Sequence, residues 1–142
     1  MKTSARNHFS GLVTDVIIGA INAEVHVSLK GGHTLVASVT KDSIDTLGIK
    51  SGVSVIALVK APQIILVSDF GGYKISARNQ LVGNVSSLKL GPVNAEVDIE
   101  LSGGELIAAT VTNDSVETLG LQKGQAVTAV FKASAVLLAV SG

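Results

Sequence analysis

Asn22-Ala23-Glu24-Val25-His26-Val27-Ser28-Leu29 is the stretch that decides how this chain folds. Ala23, Val25, Val27 and Leu29 fall on one face, and Glu24, His26 and Ser28 on the other. That strict period of two marks a half-buried strand. Its first four residues return 72 positions later as Asn94-Ala95-Glu96-Val97. The same offset carries Ser4-Ala5-Arg6-Asn7 onto Ser76-Ala77-Arg78-Asn79, Val39-Thr40 onto Val111-Thr112 and Lys60-Ala61 onto Lys132-Ala133. Between Ser4 and Leu66, 28 of 63 positions are identical to their partners. A tandem duplication gives two readings of one small module.

Working outward from that strand, residues His8 to Ile18 alternate loosely, with Phe9, Leu12, Val13 and Val16 apolar, until Gly19 breaks the run. Downstream, Gly31-Gly32 predicts a hairpin turn, because glycine accepts the positive φ that primed turns demand. A third strand follows from Thr34 to Val39. The period then changes. Thr40-Lys41-Asp42-Ser43 offers capping oxygens, Ile44 and Leu47 lie three apart, and Gly48 supplies a stop, which predicts a short helix from Lys41 to Leu47. Its counterpart runs from Asn113 to Leu119 and ends at Gly120. Two strands rich in β-branched residues, Val53 to Val59 and Ile64 to Val67, close the module.

Three strands, a helix and two strands is the element order of an OB-type barrel. The predicted fold is all-β: two OB-like five-stranded barrels in tandem, each with one short helix between strands 3 and 4. An SH3-like barrel is the alternative, but it usually lacks a helix at this point. The repeat places the first module at residues 1–68, a glycine-centred linker at 69–75 and the second module at 76–142. Tyr73-Lys74-Ile75, read as a strand, precedes the second Ser-Ala-Arg-Asn as Met1-Lys2-Thr3 precedes the first, which leaves strand exchange between the modules open.

Modules of roughly 65 to 70 residues sit near the lower limit for a self-sufficient core. No cysteine staples them, so packing on a neighbour must contribute. A hydrophobic fraction of 46% with no apolar run of membrane-spanning length predicts a soluble oligomer with apolar interfaces. Eleven basic and eleven acidic residues cancel, so no global field favours nucleic acid or anionic lipid. No export signal follows Met1, and cytoplasmic residence is expected.

The aromatics argue further against nucleic acid. Only Phe9 and Phe131 fall inside the modules, and their repeat partners are Leu81 and Val59, so no stacking platform recurs. His8, His26 and His33 are confined to the first module, where they read as solvated surface groups, and no metal-cation site or catalytic triad is supported. With no nucleophile, base or cofactor pocket to name, an enzyme is not expected. The repeated acids Glu24/Glu96 and Asp42/Asp114 have ordinary roles, the aspartates suiting the first turn of a helix.

What remains is a repeated set of donors: Ser4, Arg6, Thr40 and Lys60, returning as Ser76, Arg78, Thr112 and Lys132. Taken singly, the threonines suit helix caps and the cations suit a surface. As a set, with charge from Arg and Lys, directional hydroxyls and nearby backbone N–H groups, they suit a small dianion.

These strings resemble those of the molbindins, or Mop-domain proteins. The ordered set is Ser-Ala-Arg-Asn with Gly four residues on (Gly11, Gly83), then Asn-Ala-Glu-Val, Val-Thr and Lys-Ala-Pro (Lys60-Ala61-Pro62), the last reading Lys-Ala-Ser in the second copy (Lys132-Ala133-Ser134). The resemblance covers essentially the whole chain and is nearest the di-Mop type. It implies cytoplasmic binding and storage or buffering of molybdate and tungstate, with the oxyanion as ligand and no cofactor. It also implies a homotrimer with sites between subunits. By motif position it maps the oxyanion site onto Ser4, Arg6, Thr40, Lys60, Ala61 and Pro62. The second copy is Ser76, Arg78, Thr112, Lys132, Ala133 and Ser134. Some family members hold a second oxyanion near the Gly-x-x-Asn-Ala turn, which here comprises Gly19, Ile21, Asn22 and Ala23, and Gly91, Val93, Asn94 and Ala95. A tight turn without a ligand explains those residues equally well.

Pro62 lacks an N–H and Ser134 does not, and Pro92 replaces Ala20, so the two copies are expected to differ. Some Mop domains are fused to DNA-binding or ATPase domains. Nothing but Met1-Lys2-Thr3 precedes Ser4, so a free-standing binder is expected over a sensor or a purely structural module.

Overall fold

The computed structural model describes all 142 residues. Strands β1 (Asn7–Ile18), β2 (Asn22–Leu29) and β3 (Thr34–Thr40) lead into helix α1 (Lys41–Leu47), followed by β4 (Ser54–Val59) and β5 (Ile65–Val67). The second repeat gives β6 (Asn79–Leu90), β7 (Asn94–Leu101), β8 (Leu106–Thr112), α2 (Asn113–Leu119), β9 (Ala126–Phe131) and β10 (Leu137–Ala139). Both helices occupy the residues their caps predict. Asp42 and Asp114 lie in the first turns, and Gly48 and Gly120 close the helices in the left-handed conformation. Tyr73-Lys74-Ile75 forms no strand.

Ten strands form two five-stranded, OB-like antiparallel sheets, and the repeats exchange their last strands. One sheet runs β10-β4-β1-β2-β3 and the other β5-β9-β6-β7-β8. Leu137, Leu138 and Ala139 pair with Leu58, Ala57 and Ile56. Reciprocally, Ile65, Leu66 and Val67 pair with Val130, Ala129 and Thr128. Sheet membership is therefore not contiguous in sequence, and residues 1–68 leave β5 in the other sheet.

Each long first strand is bent at one place. The register of β1 on β2 slips between Val13 and Asp15, and that of β6 on β7 between Val85 and Ser87. The extra residues, Thr14 and Ser86, donate their hydroxyls to the carbonyls of His26 and Asp98 at 3.3 and 3.2 Å. A bulge of this kind coils a strand, as closing a small barrel requires. Gly11 and Gly83 let the same strands lie close against β2 and β7. A Cβ at Gly11 would lie 2.8 Å from the Ser28 carbonyl, and one at Gly83 2.7 Å from Ile99 Cγ2.

The alternation of β2 and β7 points Ala23, Val25, Val27 and Leu29, and Ala95, Val97, Ile99 and Leu101, into one continuous core drawn from both repeats. Phe9 and Phe131 are part of it, so the aromatics serve packing. Two small modules thus share the apolar burial that neither could supply alone.

Candidate functional site

The tetrapeptide Ser-Ala-Arg-Asn sits where each repeat enters its first long strand, and each of its polar residues has a separate place. Asn7 and Asn79 are the two buried polar residues, 2% and 1% exposed. Asn7 donates to the Ala108 carbonyl at 2.8 Å and accepts from the Ala108 N–H at 2.7 Å. Asn79 does the same with Val36, at 2.8 Å in both directions. β3 and β8 are sheet-end strands, and each amide replaces a ladder rung on them with a side chain from the other repeat. In the sequence this Asn is visible only as part of a motif, and its recurrence inside a strand is the signal that marks it.

Arg6 forms a two-pronged ion pair with Glu96, its Nη1 donating to Oε2 at 2.9 Å and its Nη2 to Oε1. Arg78 pairs through Nη1 with Glu24 Oε1. Both pairs cross between repeats. The Glu96 hydrogen bond, then the Glu96 charge, raise the Arg6 pKa above its ordinary value, opposed by desolvation, with Asp98 adding the smallest contribution. The glutamates, unremarkable in sequence, are thus the arginines' partners. Glu24 Oε1 also lies 3.6 Å from His26 Nε2, so His26 is not simply solvated. His33 differs from the sequence reading too: its Nε2 lies 2.9 Å from the Ser102 carbonyl and 3.1 Å from Ser102 Oγ, across the junction. Beside it the two glycine turns meet, with a Cβ on Gly103 falling 2.6 Å from Gly31 Cα.

Two clefts related by the repeat carry most of the remaining donors. The first, about 440 Å³, is lined by Ser4, Lys60 and Gln63 together with Ser134 and Leu137. The second, about 540 Å³, gathers Ser76, Arg78, Lys132, Ala133 and Ser134 with Pro62. Strand exchange is the reason each cleft mixes repeats, since the turns Ala61–Gln63 and Ala133–Ala135 immediately precede the exchanged strands. Pro62 therefore faces the second copy's donors, and Ser134 borders both clefts. Ala61 is buried. Arg6 does not line the Ser4 cleft.

The threonines are placed as caps. Thr40 Oγ1 accepts from the Ser43 N–H at 3.1 Å and lies 2.8 Å from Ser43 Oγ. Thr112 repeats this with Ser115 at 3.0 and 2.8 Å. Thr40 lines neither cleft, and Thr112 borders a separate groove with Asn94, Ser115 and Pro62. The Gly19–Asn22 and Gly91–Asn94 turns are closed by their own backbone, with Gly19 and Gly91 N–H groups donating to Asn22 and Asn94 carbonyls at 2.9 and 2.8 Å. Ile21 and Val93 carbonyls accept from the first N–H of α1 and α2, both at 2.9 Å. In the second copy alone, Asn113 Nδ2 also donates to the Gly91 carbonyl at 2.9 Å. No group of His, Asp and Glu side chains is arranged to hold a metal cation.

Paired clefts of hydroxyls and cations lie across the junction of two OB-like modules in this β protein. The chain belongs to the TOBE-domain family, whose model matches twice in tandem, at residues 3–66 and 75–138. It is 42% identical over 140 residues to the molybdenum transport protein ModE of Herbaspirillum seropedicae, covering 99% of this chain and 52% of that one. It is 43% identical to the molybdenum-pterin-binding protein MopA of Rhodobacter capsulatus, covering 99% and 53%. The chain thus spans about half the length of the curated relatives it matches. A crystal structure of the cytoplasmic molybdate-binding protein ModG, with molybdate bound, superposes with a TM-score of 0.97 at 48% identity, covering 99% of this chain and 100% of that one.

Proposed function

We propose that the chain binds molybdate, and tungstate, in the cytoplasm, and stores or buffers the oxyanion. The observation that carries this reading is the pair of repeat-related clefts. Each offers a serine hydroxyl and a lysine from one repeat beside a turn from the other. Hydroxyl and ammonium donors suit a tetrahedral dianion that carries no proton of its own. The near-complete superposition on a molybdate-binding protein supports the same ligand. Ser4, Lys60 and Ser134 serve one cleft, and Ser76, Arg78, Lys132, Ala133 and Ser134 the other; Arg6 joins the first only by leaving Glu96. Thr40, Thr112, Ala61 and Pro62 shape the surroundings. The Gly19–Ala23 and Gly91–Ala95 turns provide a secondary site.

A trimer accounts for the exposed apolar surface. Ile21 and Val93 are 77% and 69% exposed, and the repeat-related Ile65 and Leu137 are 57% and 65% exposed. Ile65 and Leu137 border the two clefts, so burying them against further copies of the chain would place both sites at subunit interfaces. A second reading, a molybdate-sensing module, is favoured by the half-length match to relatives named as ModE regulators.

Calorimetric titration with native mass spectrometry tests the proposal. Molybdate and tungstate bind, and sulfate and phosphate bind far more weakly. A cage sized for the larger ion cannot close every donor on sulfate, and a phosphate proton would lack an acceptor. Arg6→Ala with Arg78→Ala lowers the bound oxyanion count. Equal sulfate affinity, or an unchanged count in the double variant, sinks the reading.

A further inference from the structure

The two cross-repeat ion pairs are unequal. Arg6 commits both terminal nitrogens to both oxygens of Glu96 and lies outside the cleft of Ser4 and Lys60. Arg78 meets one Glu24 oxygen only as an ion pair, and that oxygen, which His26 also approaches at 3.6 Å, accepts no hydrogen bond; Arg78 lines the cleft of Ser76 and Lys132. A carboxylate and a tetrahedral oxyanion ask the same thing of a guanidinium, two parallel N–H donors at one edge. Two anions on one such edge repel each other.

Resting on the oxyanion reading above, we propose that Glu96 and Glu24 are built-in competitors of the oxyanion for Arg6 and Arg78, and that the stronger hold of Glu96 makes the Ser4 cleft the weaker of the two. Binding there requires Arg6 to leave Glu96 and turn to the ligand. Binding at the Ser76 cleft requires only that Arg78 exchange a single contact. The glutamates thereby set affinity without touching the ligand, which makes them positioning residues. Sequence alone hides this, because Arg and Glu recur identically in both copies. The neighbours that differ are His26 beside Glu24 in one repeat and Asp98 near Arg6 in the other.

The test is calorimetric titration of molybdate into the wild-type protein, Glu96→Gln and Glu24→Gln at one pH and ionic strength, with thermal unfolding of each. Glutamine keeps the shape and removes the charge. The expected result is that Glu96→Gln tightens the weaker class of sites about two- to fivefold, the range of an exposed ion pair, and that Glu24→Gln tightens binding less. A merely structural pair would instead lower the unfolding temperature and leave affinity unchanged or weakened, which overturns the proposal. Absence of wild-type binding sinks the oxyanion reading and this inference with it. Wild-type binding with no tightening sinks the inference alone. Should Glu96→Gln fail to fold, Glu96→Asp withdraws the carboxylate by one methylene, and tightening in the same direction is required of it.

Discussion

Asn7 and Asn79 show how much a single repeated residue can do away from a ligand. Each sits nearly solvent-free and meets both backbone groups of one residue on the opposite repeat. Removing the amide leaves a buried N–H and C=O without partners, at a cost of about 1–3 kcal/mol for each orphaned group. Asn7→Ala is therefore expected to destabilise the chain by about 3 kcal/mol in urea unfolding. Asn7→Asp should do comparable damage, because a carboxylate cannot donate to the Ala108 carbonyl. A loss below about 0.5 kcal/mol, typical of an ordinary surface position, would show that the junction does not depend on this rung. The tetrapeptide read in sequence as one repeated motif thus divides its roles. Ser4 and Ser76 line the clefts, Arg6 and Arg78 pair across repeats, and Asn7 and Asn79 hold the repeats together. Residue type was legible; direction was not, because four consecutive residues at a strand entrance leave the backbone on different sides.

The elements were legible wherever a local signal sets them. The Thr40 and Thr112 caps, the Gly48 and Gly120 stops and the alternation of β2 and β7 depend on neighbours within four residues, and they lie where expected. The exchanged strands are different. β5 and β10 are three residues each, too short to carry a pattern, and their cores Ile-Leu-Val and Leu-Leu-Ala fit either sheet edge. Exchange has a measurable consequence. Removing residues 136–142 from the end of the second repeat should expose the outer edge of β4 in the first. Hydrogen exchange is expected to show faster exchange within Ile56–Leu58, the partners of β10, at the alternate amides that face the lost strand. Loss of protection confined to β9 would contradict the pairing.

For the whole molecule, the two repeats behave as one body with a shared core, reciprocal strands, reciprocal asparagines and reciprocal ion pairs. Self-complementary contacts of this sort are those of a twofold dimer, here covalently joined. A fragment of residues 1–68 would carry β5 without β9 to receive it, and β4 without β10. Such a fragment is expected to pair with a second copy by mutual exchange of β5, giving a dimer in sedimentation. A stable folded monomer would count against the junction as a source of stability. The same junction brings Ser134 to the Ser4 cleft and Pro62 to the Ser76 cleft. Pro62 is thus delivered to the cleft of the repeat that does not encode it, while Ser134 serves both clefts.

By itself the sequence determined the repeat, the strand and helix positions and the donor types, because alternation, caps and glycine stops act over a few residues. Only the tertiary structure decided which repeat receives β5 and β10, and with that which donors share a cleft. The physical reason is the duplication. Two nearly equivalent edges compete for each short strand, and identical arginines and glutamates pair equally well within or between repeats. No local preference can separate the two arrangements, and the choice falls to the packing of the whole chain.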